Sequence, residues 1–504
     1  MKLELNRTHL TGYETVLDTT VFHEETLETI VPDANPDILR LIDTQGKVFL
    51  KSKEATDGRV TLTGTARLTV LYRPEGGTGP CCLEVGIPFS VCAEDRRLTP
   101  GCPVTAVARV AGADTRTVNP RKILTRVEVA IDVRAFCPDT TVLCTGVLAE
   151  GGTAEERREL HRPWCVCAVQ EKQLTLQDNL TVPAGRPAAE ELICDRVELT
   201  CIESKLIGNK LIFKGEAAVR LLYRPVGGGM DAADFTLPFS QVAEVVGVGE
   251  NGQGQVSVAL SGAEFSLGED GRAVSATLSV LAQIVVREER ELELLADTYS
   301  VCCCVNAERV PYIYRRRREA GVGRQMMRQL IETGIAVQSV VDVYCLVGQT
   351  GQKREGNQTT LAANVILTVV CMTEDGDYCA MSRSLDVGCP VEIPEECRCS
   401  FDCRCGEPVA MPVAEGVEVR FPMEFPYSCR QEAQGTVVRE VTVEEEADGE
   451  GVEPSVVLRM LRPGDSLWEM AKRYGTTTED IIRANELNGR QPEDGTLLLI
   501  PRRR

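Results

Sequence analysis

Residues 59–74 read RVTLTGTARLTVLYRP, and their period decides the fold. Val60, Leu62, Gly64, Ala66, Leu68 and Val70 take one side, while Thr61, Thr63, Thr65, Arg67 and Thr69 take the other. Alternation with period two is the mark of a half-buried strand. The same inward set returns as Leu211, Phe213, Gly215, Ala217, Val219 and Leu221, and again as Leu361, Ala363, Val365, Leu367, Val369 and Cys371. Gly64 and Gly215 inside these strands predict a bulge or a close backbone approach. Turn-rich segments follow each strand (PEGGTG, PVGGG, TEDGD), so each copy is expected to hold a hairpin.

The first two copies keep an offset of 151 residues. Val31-Pro32 pairs with Val182-Pro183, Leu41-Ile42 with Leu192-Ile193, and Leu71-Tyr72-Arg73-Pro74 with Leu222-Tyr223-Arg224-Pro225. Such constancy marks a duplication. Pro36 to Ile42, Ala188 to Cys194 and Arg324 to Thr333 read as short helices ahead of the strand blocks. The expected fold class is mainly β: tandem antiparallel sandwich-like repeats with short helices, over residues 1–160, 161–305 and 306–432.

The end of the chain changes period. Residues 463–501, PGDSLWEMAKRYGTTTEDIIRANELNGRQPEDGTLLLIP, open on a turn and a capping box, Ser466 and Glu469. Leu467, Trp468, Met470, Ala471 and Tyr474 form a helical stripe that Gly475 stops. Thr476 to Thr478 cap a second helix with Ile481, Ile482 and Ala484 inward. Strands at 456–460 and 497–500 complete a small α+β module, βααβ, over 456–504. Trp468 and Tyr474 are expected to pack its core. Residues 440–454 hold seven acids and no base, so 433–455 is expected to be an acidic tether letting the module search around the body.

Composition narrows the function. The chain has 504 residues and a net charge of −20, which argues against nucleic-acid binding. Residues 457–504 carry nine bases against seven acids, so the acidity lies in the body. The first residues, MKLELNRTHL, have no apolar core, so no signal peptide is expected, and no apolar run suggests a transmembrane segment. The 22 cysteines are therefore expected to be free thiols.

Chemistry-bearing clusters are few. Cys397, Cys399, Cys403 and Cys405 could hold zinc, but their spacing also fits small apolar residues on the buried side of one strand. His9, His23 and His161 sit in no nucleophile or metal motif and read as surface or capping residues. Asp33 and Asp37 read as turn and helix-start acids, and Arg315 to Arg318 as a solvated face or a patch for an acidic partner. No phosphate loop, nucleophile elbow or carboxylate pair is present, so no enzyme and no cofactor are expected.

The terminal module resembles a LysM domain through Pro463, Gly464, Asp465, Ser466, Leu467, Trp468, Ala471, Tyr474, Gly475, Ile481, Ile482, Asn485, Leu487, Ile500 and Pro501. It departs from the pattern in lacking an aromatic residue in VVLRML. Val31, Pro32, Asp33, Asn35, Pro36, Asp37 and Ile38 resemble the opening of a SPOCS domain; the second copy has Ala184 and Ala188 in place of acids. The whole is similar to spore-coat morphogenesis proteins of the SipL/SpoVID type. The resemblance implies a groove of Gly464, Asp465, Ser466, Leu467, Trp468, Asn485, Leu487 and Asn488 that takes either a SpoIVA-like basement-layer protein or peptidoglycan glycan. It also implies contacts of the β repeats with other coat proteins or with themselves, in the mother-cell cytoplasm at the forespore surface.

Overall fold

The computed structural model describes residues 2–77, 79–150, 153–249, 251–356, 358–444, 455–487 and 492–502. The first unit comprises β1 (Lys2–Ile30), β2 (Ile38–Thr56), β3 (Arg59–Pro74), β4 (Cys81–Glu94), β5 (Val104–Asn119) and β6 (Lys122–Glu150). After β7 (Ala154–His161), the second holds β8 (Trp164–Thr181), β9 (Ala189–Ile207), β10 (Lys210–Pro225), β11 (Asp231–Glu244), β12 (Gln253–Leu267) and β13 (Ala273–Glu289). After β14 (Leu292–Ser300), the third holds β15 (Cys304–Glu332), β16 (Val337–Glu355), β17 (Gln358–Thr373), β18 (Tyr378–Glu392), β19 (Cys397–Phe401), β20 (Arg404–Cys405), β21 (Val409–Val413) and β22 (Gly416–Glu444). The chain ends with β23 (Val456–Met460), α1 (Leu467–Tyr474), α2 (Thr478–Ala484) and β24 (Leu497–Pro501).

Each unit is two facing antiparallel sheets. β2-β3-β4, β9-β10-β11 and β16-β17-β18 form the three-stranded sheets, and their opening strands are 19, 19 and 19 residues long. That identity extends the repeat to the third unit. The long strands form the opposing layers, β12-β13-β8-β1-β6-β5 and β15-β22 with its short partners. Three separate apolar cores lie between the layers, and the alternating inward side chains of β3, β10 and β17 are buried in them.

The glycines behave as their position requires. A Cβ on Gly64 would lie 2.5 Å from Phe89, and one on Gly215 would lie 2.4 Å from Phe239 and 2.2 Å from the Thr200 carbonyl. Gly64 pairs with Phe89 and Gly215 with Phe239, whereas Ala363 pairs with Val387. The ring needs the glycine; the smaller valine leaves room for a methyl. The neighbouring strand bulges at the matching place in all three units.

The three units are clasped rather than strung out. Val70, Leu71 and Tyr72 are all buried, although they are consecutive. Leu71 leaves its own core and meets Leu222 and Val370, its counterparts, in a shared apolar centre with Ile42 and Ile193. Beside it Arg196 of the second unit forks onto the buried Asp342 of the third at 3.0 and 3.1 Å, and Arg220 reaches the same carboxylate at 2.6 Å. The Tyr344 hydroxyl donates to Asp43 of the first unit at 3.0 Å. Burial raises the Asp43 carboxyl to about 6, against the pull of Tyr344. Gln283 of β13 closes a further seam, with its amide bonded to both backbone groups of Ala106 at 2.7 and 2.8 Å.

Three sequence expectations are corrected. The helices expected at Pro36 to Ile42, Ala188 to Cys194 and Arg324 to Thr333 are strand or turn; among the described residues only α1 and α2 are helical. The turn at residues 31–37 is held instead by Arg121, which donates to the carbonyls of Val31, Pro32 and Asn35 and pairs with Asp33 and Asp37. In the second copy, where the acids are absent, Arg272 holds the turn through carbonyls alone. Finally, residues 433–444 are not tether. They extend β22, and Glu440–Glu444 pairs with Cys304–Glu308; Glu440 is exposed while Val441 packs inward. Residues 445–454 lie outside the described residues.

Candidate functional site

The terminal module is built as its sequence reads. The Ser466 hydroxyl accepts the Glu469 amide at 3.1 Å and starts α1; Gly475, at φ 60°, ends it. Thr477 caps α2 in the same way at 3.1 Å. Leu461, Met470, Ala471, Ile481, Leu498 and Ile500 form the core between the helices and the β23–β24 ribbon.

What the sequence does not disclose is where the module sits. β7 and β14, the two segments between units, pair with each other into a ribbon. α1 lies on it. Trp468 donates its indole N–H to Asp297 Oδ2 at 2.7 Å, and Lys472 Nζ reaches Oδ1 at 2.7 Å. Asp297 is fully buried. Burial alone would raise its carboxyl, but the bonds from Lys472 and Trp468 outweigh it and hold the group below the usual carboxylate range. The Trp468 ring meets Tyr299 edge to face at 4.9 Å, and the Arg157 guanidinium lies over it at 5.8 Å. Tyr299 donates to the Thr476 carbonyl at 2.9 Å, and Glu469 faces Arg157 at 3.6 Å. The module is therefore seated on the body, against the expectation of a searching hand, and Trp468 fills that contact rather than only the module core.

The other expected groove residues divide. Gly464 and Ser466 are exposed at the turn before α1. Asp465 accepts from the Arg462 amide and from Arg459, both at 3.2 Å, which hold its carboxyl low. Leu467 and Leu487 are half-buried against the module core. Asn485 is a clip: its amide donates to Ile481 and Leu499 carbonyls and accepts the Leu499 amide at 2.7 Å. Asn488 lies outside the described residues. On the opposite side, the ribbon presents Val456, Leu458, Met460 and Leu497, all exposed, with Met460 and Leu497 directly paired.

The chain matches the family model of the LysM domain over residues 461–501 and that of the SPOCS domain of SipL over 37–117 and 189–267. It carries two SPOCS domains and a LysM domain, the SipL type of arrangement. Each SPOCS match spans a three-stranded sheet and the strand that follows it, β2 to β5 and β9 to β12. No curated protein and no solved structure matched the chain significantly. Both matched domains are binding or structural domains, and SPOCS ties the chain to sporulation while LysM ties it to peptidoglycan-type recognition. Among the described residues, no helix is long and apolar enough to cross a membrane.

The thiols fall into place around this frame. Cys397 and Cys399 lie in β19, the strand breaks after Phe401, and Cys405 lies in β20 opposite Met423. Cys399 faces Cys429 across the ladder. Burial raises Cys397, Cys399 and Cys403, the last two to about 12, and the hydrogen bond with Cys345, with burial second, raises Cys405, so the four thiols stay protonated and pack as apolar groups. Cys102 and Cys137 form a disulfide, which corrects the expectation that every thiol is free. His161 is buried rather than exposed, edge-on to Tyr312 and Tyr314 at 5.6 and 5.5 Å.

Proposed function

We propose that this SPOCS–LysM chain is a non-enzymatic scaffold of the spore envelope. Its LysM module takes a SpoIVA-like basement-layer protein, and its β units take coat proteins or further copies of the chain, at the forespore surface in the mother cell. The reading rests on the exposed ribbon face of Val456, Leu458, Met460 and Leu497. Contiguous exposed aliphatic side chains suit a protein surface, where apolar area is removed from water. Glycan recognition calls for polar groups and stacked rings, and Trp468 is already occupied by Asp297 and Tyr299. The clasped units support the same reading, because a rigid body can hold partners at fixed separations.

A fluorescent fusion followed through sporulation tests it. The account expects a shell around the forespore that Leu458→Glu with Met460→Glu disperses. A diffuse signal from the unaltered chain would overturn it. The second reading, peptidoglycan binding, is favoured by the LysM match and the exposed turn at Gly464 and Ser466.

A further inference from the structure

The three units leave a cavity of about 850 Å³ where their layers meet, and its walls carry six arginines against five carboxylates. Arg398 of β19, Arg430 of β22 and Arg317 of β15 stand directly opposite one another across three strands in register. Directly opposed residues of an antiparallel ladder project from one face, so this row sets like charges side by side, an arrangement that repels. Arg317 is drawn aside over the Trp164 ring at 5.3 Å. Arg398 and Arg430 line the cavity, with Arg134 of the first unit on the facing wall.

Arg430 also lines an adjoining cavity of about 330 Å³, together with Arg287 of the second unit. Arg287 is 7% exposed, and among the described residues its side chain bonds only to Gln255 Oε1 at 3.0 Å, with no partner for its Nε. Among the described residues, neither Arg287 nor Arg430 makes an ion pair. Of the acids lining the two cavities, Asp18 and Asp402 pair with Arg134 at 2.8 and 3.4 Å, Asp132 pairs with Arg109 at 2.5 Å and Glu14 pairs with Arg97 at 2.9 Å, while Glu396 lines the larger cavity and Asp139 the smaller. Glu432 stands opposite Arg315 at the rim. Burial pulls the Arg287 guanidinium down to about 9, and the charges of Arg430 and Arg134 add to it. A buried guanidinium without a counter-charge is costly, and its fork geometry fits a planar or tetrahedral oxyanion.

We infer that the junction of the three units is an anion site centred on Arg430, which lines both cavities, with Arg398 beside it in the larger and Arg287 beside it in the smaller, and that it receives a phosphate dianion, free or at the end of a small ester. A ligand there touches residues of the second and third units at once, with Arg134 of the first alongside. Binding therefore fastens the clasp in addition to any role of the LysM module.

Calorimetric titration and thermal unfolding of the full chain, with inorganic phosphate or glycerol phosphate against chloride at matched ionic strength, test this. The expected result is saturable binding of at least one of the two, a rising melting temperature that levels off, and a dissociation constant raised at least tenfold in Arg430→Gln. Arg398→Gln, an exposed position, gives the same loss should the first variant fold poorly. Arg116→Gln, an exposed arginine of β5 outside both cavities, binds as the unaltered chain does. The ester binding more tightly identifies a metabolite as the source, and free phosphate binding more tightly identifies the ion. No saturable binding of either, or binding unchanged in both Arg430→Gln and Arg398→Gln, overturns the inference.

Discussion

The indole N–H of Trp468 donates to Asp297, 171 positions earlier in the chain, at 2.7 Å, and Asp297 has no solvent exposure. The carboxylate belongs to neither a SPOCS sandwich nor the LysM module but to the ribbon between units. Removing its charge should release the module. A charge-assisted hydrogen bond is worth on the order of 2 kcal/mol, and Asp297 receives two from the module, beside one from the Thr298 amide. In a Trp164→Phe background Trp468 is the sole tryptophan of the chain. Asp297→Asn is expected to shift its emission to longer wavelength and to raise hydrogen exchange in α1, with the SPOCS units unchanged.

The shared centre makes a pH prediction. Asp43 is held at about 6, above its usual 3.8. The folded chain therefore keeps a proton there that the unfolded chain has lost, and stability from this group is present below pH 3.8 and lost as pH rises through 6. Asp43→Asn, neutral throughout and still able to accept from Tyr344, should be more stable than the unaltered chain above pH 6, on the order of 2 kcal/mol. Denaturant unfolding at pH 4 and pH 7.5 gives the difference; a variant equally destabilised at both would contradict it.

His161 acts in the opposite sense. Burial pushes its pKa below 6.5, with Arg316 adding to the shift and Glu159 opposing it. The unfolded chain binds the proton first, so stability falls as pH drops below 6.5 toward the folded value. His161→Phe, which keeps a ring between Tyr312 and Tyr314, should flatten that limb of the stability profile.

The strand glycines should be the least replaceable of the apolar repeat. Gly215→Ala places a methyl against Phe239 and the Thr200 carbonyl and should cost about 1–3 kcal/mol. Gly185→Ala, with open space around it, should be neutral or slightly stabilising. Phe239→Val together with Gly215→Ala, which reproduces the Ala363–Val387 pair of the third unit, should recover part of the loss.

The repeat and the LysM module were legible because each rests on local periodicity. Val60 to Val70 alternate with threonines, and Ser466, Gly475 and Thr477 cap helices through neighbours three or four residues away. The shared centre was less legible, although its signal is present: Val70-Leu71-Tyr72 and Leu221-Leu222-Tyr223 break the alternation, as strands buried on both faces must. The first false helix came from reading Pro36 as a helix start, when it instead serves a turn held by Arg121 from over 80 residues away, as Arg272 holds the matching turn before Ala188. Glu440–Glu444 looked like tether because its partner, Cys304–Glu308, is 132 or more residues distant in the ladder. Nothing local marks Asp297 as the seat of Trp468, and the docking contact is therefore the part of the site that only three-dimensional structure discloses.

The central claim is that the LysM module, seated on the SPOCS body, grips protein through its aliphatic ribbon. Retention of the full chain on immobilised SpoIVA-like protein, measured beside retention on purified peptidoglycan sacculi, tests it most directly. The account predicts capture by the protein, loss of that capture in the Leu458→Glu, Met460→Glu variant, and little retention on sacculi. Capture on sacculi alone, undiminished by those substitutions, would contradict it.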